Sequence, residues 1–148
     1  MAPATQNADL LDAMAAQIWD VISAVTDIDV QVEPRMISAP TPPTIDMYPG
    51  DISRGTEAAA FGTEGEFLFT VRCRVNENDA TANQDLLLAF MDDVNGLSVP
   101  MALLEEPTLG GLATSLLVRD PTGFVTYPFG DATLVGFQFT CLVIRADS

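Results

Sequence analysis

The chain contains no lysine and no histidine, and only two cysteines. Each shortage removes a class of chemistry. Histidine is the side chain most often recruited for proton transfer near neutral pH and lysine is a common alternative, so most hydrolase and transferase schemes have no general base here. Two sulfurs without a histidine fall short of the four ligands of a structural zinc site. The only basic residues are six arginines, Arg35, Arg54, Arg72, Arg74, Arg119 and Arg145, against 21 acidic residues, for a net charge of −15. Gripping nucleic acid requires clustered cations that release counterions, and the arginines are scattered, which argues against a DNA-reading role. A like-charged wall does let a duplex slide past, because nothing on it holds phosphate.

No run reaches the ~18 apolar residues of a membrane span. Residues 1–7 carry no basic residue and lead into an amphipathic segment instead of an apolar one, unlike a signal peptide. The expectation is a soluble protein made in a cytoplasm, without membrane, metal or cofactor. What is present suffices for a core. A chain of 148 residues has the size of one compact domain, here residues 1–148, and 48% of it is hydrophobic.

Between residues 8 and 25, Leu11, Met14, Ile18, Val21, Ile22 and Val25 recur at three- and four-residue spacing, predicting an amphipathic helix capped by Asn7, with Trp19 flanking the stripe at the core edge in preference to an exposed contact. Residues 28–33 alternate Ile28, Val30, Val32 with polar side chains, the period of a half-buried strand closed by Pro34. A second strand covers residues 45–48. The clearest strand follows: Phe67, Phe69, Val71, Cys73 and Val75 share one face, and Glu66, Thr70, Arg72 and Arg74 the other. Thr81 and Gln84 form a capping box for a helix bearing Leu87, Phe90, Met91 and Val94, which Asn95-Gly96 stops. Ser98, Val99 and Pro100 open a short helix that ends at Pro107 and Gly110-Gly111. A strand then runs from Ala113 to Arg119, the turn Asp120-Pro121-Thr122-Gly123 implies a hairpin into residues 124–127, and residues 133–145 alternate again through Val135, Phe137, Phe139, Cys141 and Val143.

That order of elements predicts an α+β fold, a mostly antiparallel sheet with helices packed on one face. Sequential antiparallel strands are the economical pairing. Cys73 and Cys141 fall on the core-facing parity, so both are expected to be buried, reduced thiols. Leu68, Leu134, Leu142 and Ile144 fall on the opposite face, which points to partner contact or to cover by a loop.

No nucleophile elbow, phosphate loop or dinucleotide-binding glycine motif occurs. The remaining catalytic option is a carboxylate pair, Asp92-Asp93 or Glu105-Glu106. Adjacent carboxylates on a helix point ~100° apart, so neither pair converges on one ion by itself. Solvated charge is the plainer reading of both.

The segment Ser98-Val-Pro-Met-Ala-Leu-Leu-Glu-Glu-Pro-Thr-Leu-Gly-Gly-Leu112 resembles the stretch of bacteriophage (siphovirus) tail terminator proteins in which a short acidic helix breaks at D/E-P-T-L-G-G and feeds a strand. The order of elements is similar over nearly the whole chain. The resemblance implies a non-enzymatic virion protein of the tail and neck. It would form a homo-hexameric ring that docks on the last ring of tail tube protein, stops tube growth and meets the head-closure proteins. Another neck or minor tail protein is the alternative. A small carboxylate-metal enzyme or ligand-binding domain comes third, and a concave pocket lined by convergent carboxylates would favour it.

Two segments are expected at the subunit or tube interface. One is the corner Thr108, Leu109, Gly110 and Gly111, where a positive φ at a glycine turns the chain and Leu109 anchors it in apolar surroundings. The other is residues 50–65, a long stretch with four glycines and no period, expected to be mobile until assembly orders it through Arg54, Glu57, Phe61 and Glu64. The alternation also carries a stability prediction. Replacing Phe69 or Phe139 with alanine is expected to cost ~3–5 kcal/mol, read as a fall in the urea midpoint.

Overall fold

The computed structural model describes residues 6–26, 28–37, 43–50, 66–76, 80–92, 97–129 and 132–145. Among them the chain runs α1 (Gln6–Ser23), β1 (Gln31–Glu33), β2 (Thr44–Pro49), β3 (Glu66–Asn76), α2 (Ala80–Met91), α3 (Val99–Leu104), a 3-10 turn (Leu109–Gly111), β4 (Ala113–Arg119), β5 (Val125–Phe129) and β6 (Ala132–Arg145). The fold is α+β, with a mostly antiparallel six-stranded sheet. No helix among the described residues is long and apolar enough to cross a membrane.

Strands β3 and β6 form the spine of the sheet, paired antiparallel without interruption from Glu66↔Ile144 to Asn76↔Leu134. Their shared alternation aligns Phe67, Phe69, Val71 and Cys73 with Val143, Cys141, Phe139 and Phe137, so one face is continuously apolar. Onto that cluster pack Leu11, Met14, Ile18 and Ile22 of α1, Leu87 and Phe90 of α2, and Val99 and Leu103 of α3. Phe69 and Phe139 are fully buried. Each buried aromatic removes ~150–250 Å² from water, which makes them leading contributors to the core.

The pairing departs from sequential antiparallel order in three places. Strand β3 pairs with β6 and not with β4, the next strand in the chain. Strand β1 runs parallel to β2, with Val32 opposite Ile45. A parallel neighbour requires the chain to return to the same end of the sheet, and residues 34–43 lie between the two strands. The hairpin expected at Asp120-Pro121-Thr122-Gly123 does not form. Instead β4 and β5 both pair antiparallel with β6, on the edge opposite β3, at Arg119↔Thr140 and Val125↔Gly136. They therefore run in the same direction, end to end. The turn residues make a detour, not a reversal. Asp120 takes a φ of 55°, and Thr122 stays on the sheet by donating its N–H to Gln138 O at 2.9 Å and accepting the Gln138 N–H on Oγ1 at 3.0 Å.

Element ends differ in detail. Helix α1 starts at Gln6 and α2 at Ala80, which puts Asn7 and Thr81 inside the helices and not at their caps. Helix α1 ends before Val25, which is 55% exposed, and Trp19 is 45% exposed, not tucked into the core edge. Ile28 is also exposed, because β1 is shorter than residues 28–33. Ser98 does cap α3, accepting the Met101 N–H on Oγ at 3.2 Å. Val94 and the Asn95-Gly96 stop lie outside the described residues.

Cys73 and Cys141 are free and fully buried on the apolar face. Burial pushes both thiols well above the ordinary value of 9.0, with buried Asp46 nearby adding to the effect at Cys73. The Tyr127 phenol is raised as well, first by burial. For groups held protonated in this way, the unfolded chain ionises first as pH rises. Their contribution is fully present below the unfolded value and is lost on going above it. Stability is therefore expected to be insensitive to these groups through neutral pH and to fall above about pH 9. Thermal melts across pH 7–11 check this, and a thiol reagent should label neither cysteine until denaturant is added.

Candidate functional site

The corner after α3 is built by backbone conformation. Its turn puts three successive residues at positive φ: Leu109 at 50°, Gly110 at 69° and Gly111 at 97°. Two of the three are glycines, for which that region carries no Cβ penalty. Leu109 is the exception, and its side chain is held by burial in the core cluster. Thr108 closes the turn from below, its carbonyl accepting the N–H groups of both Gly111 and Ala113 at 2.9 Å. The chain thus passes from a six-residue helix into β4 within a few residues. The positive φ expected at Gly110 or Gly111 occurs at both, and Leu109 is the apolar anchor.

A groove of about 400 Å³ separates this corner from α1. Ala13, Ala16, Gln17, Asp20 and Val21 line it from the helix side, and Glu105, Glu106, Leu109 and Gly110 from the other. Gln17 ties the walls together, its Nε2 donating to Ala102 O at 2.9 Å and Leu103 O at 2.7 Å. Asp20, Glu105 and Glu106 are exposed along it. They share a groove without converging: no cluster of three ligating side chains among the described residues is disposed to hold a metal ion. Arg54, Glu57, Phe61 and Glu64 lie outside the described residues, as does Asp93 of the other acidic pair.

The second face of the sheet holds a polar cluster that alternation alone assigns to solvent. Asp46 of β2 is fully buried. Arg72, directly across the ladder, grips it with a fork, Nε to Oδ1 at 2.8 Å and Nη2 to Oδ2 at 2.7 Å. Arg74 adds a bond to Oδ2 at 3.1 Å, and the Ile37 N–H donates to the same oxygen at 2.9 Å. Both guanidiniums also donate to Ile37 O, which pins the chain that follows β1 across the sheet. The Arg72 guanidinium lies 5.2 Å from the Tyr48 ring centre and 5.9 Å from that of Tyr127, whose hydroxyl donates to Gln138 Oε1 at 2.5 Å. Opposite Arg74 stands Gly136, where a Cβ would collide with the Cys73 carbonyl, so the close approach of β6 to β3 requires glycine. Leu68 and Leu134, for which partner contact or cover by a loop was expected, are buried within the chain itself.

Neither a protein-family model nor a curated protein matches this chain.

The groove was not legible in the sequence because its walls are separated by more than eighty residues. The polar cluster had a signal: an aspartate between Ile45 and Met47 in a strand, and two arginines at i, i+2 on one face of another. One buried carboxylate shared by two guanidiniums makes the cluster sensitive to its removal. Asp46→Asn keeps the shape but leaves two cations unneutralised, and is expected to lower unfolding stability by ~3–5 kcal/mol in urea titrations. A variant that unfolds like the parent would show that solvent, not Asp46, compensates the arginines.

Proposed function

We propose that this chain is a non-enzymatic assembly subunit of a long non-contractile phage tail. It closes the head-proximal end of the tube as a homo-hexameric ring and joins it to the head-closure proteins. The observation that carries this reading is the corner at residues 98–113. There a capped six-residue helix ends in Glu105-Glu106, breaks at Pro107 and turns through three positive-φ residues directly into β4. This is the arrangement implied by the resemblance to the tail terminator family.

Two further features fit. A ring built from head-to-tail contacts joins two different surfaces of the same chain. The sheet ends in two unlike edges: short β1 on one side, and on the other the β4–β5 line, beside which Leu117 and Phe124 are exposed. A net charge of −15 also suits a channel that DNA crosses without being held.

The test is genetic and structural. In the phage that encodes the chain, disrupting its gene is expected to leave DNA-filled heads apart from tails whose tubes run beyond normal length, with joining restored when the protein is supplied from a plasmid. Electron micrographs of the lysate give the readout. Joined particles with tails of normal length would overturn the proposal. Unjoined tails of normal length would move the chain to the head-closure side of the neck.

A further inference from the structure

We propose that the groove between α1 and the α3–β4 corner docks an extended segment of a different protein, one that carries arginine or lysine beside an apolar side chain. The inference rests on the groove itself and not on the tail reading. Its apolar lining comes from Ala13, Ala16 and Val21 of α1 across from Leu109, beside the Gln17 amide. Exposed Asp20, Glu105 and Glu106 also line it, all of one sign. Apolar lining beside exposed carboxylates suits a side chain with an aliphatic stem and a cationic head, because the stem is buried while the head stays at the wet, charged margin. Apolar surface continues beside it. Trp19, three residues beyond Ala16 on the helix, is 45% exposed, and Leu104, next to Glu105, is 37% exposed.

This chain supplies few cations for such an occupant, with no lysine and only six arginines, five of them among the described residues. Arg35 is paired with Asp12, Arg72 and Arg74 with Asp46, and Arg119 with Asp120. Arg145 is engaged as well. A second copy would also bring a net charge of −15 to the contact, whereas a basic segment of another protein is drawn to it, faster at low salt.

An end-capped hexapeptide of alternating leucine and arginine is a suitable probe, titrated into the intact chain at low salt. The emission of Trp19, the single tryptophan, reports occupancy. Diffuse attraction to an acidic protein is separated from docking by three variants at exposed positions, each checked for folding by circular dichroism. Binding is expected to saturate. The double variant Glu105→Gln/Glu106→Gln should weaken it about tenfold, the weight of two exposed ion pairs. Ala16→Phe, which fills the groove without changing charge, should weaken it at least as much. Asp29→Asn/Glu66→Gln removes the same charge away from the groove and should leave affinity within about twofold. Equal losses in the two charge variants, full affinity in Ala16→Phe, or no saturable binding to the parent would each overturn the proposal.

Discussion

Every other element of the sheet takes its position from the ladder between β3 and β6. Side chains alternate with a period of two, so a slip of one residue would invert one strand relative to the other. Were β6 to slip, Phe137 and Phe139 would turn toward the polar side while Phe67 and Phe69 stayed on the apolar one. The apolar penalty of that inversion holds the register. With the register held, β2 adds to one side and β4 and β5 to the other.

The opposite face has a different logic. It is closed by charge: one buried carboxylate is shared by two guanidiniums, and the same three groups bind the backbone of Ile37. A buried ion pair of this kind adds little to stability relative to a well-packed apolar patch, but it tolerates few alternatives, since any misplacement leaves a charge unpaired away from water. The cluster therefore acts as a registration pin for the segment between β1 and β2. Tyr48 lies over the Arg72 guanidinium, and the absent side chain at Gly136 lets β6 approach the Cys73 carbonyl of β3 closely.

Both functional proposals converge on one region. The corner after α3 combines strained backbone, an exposed acidic pair and a buried leucine anchor, and it forms one wall of the groove against α1. Strain at Leu109 is sustained because the surrounding core over-determines it.

Local pattern was enough for the elements whose character is local. The alternation of β3 and β6, the stripe of α1, the Ser98 cap and the glycine corner each follow from a few neighbouring residues, because backbone sterics and side-chain period act at that range. The α+β class followed from their order. Pairing was a different matter. That Asp120-Pro121-Thr122-Gly123 links two collinear strands, that β1 runs parallel to β2, and that Trp19 stands exposed were decided by which surfaces remained to be covered once β3 and β6 had joined. Asp46 shows the division most plainly. Its place on the polar parity of a strand was written in the sequence, but its complete burial depends on Arg72, Arg74 and the Ile37 backbone arriving from other segments, and only the tertiary structure brings them together.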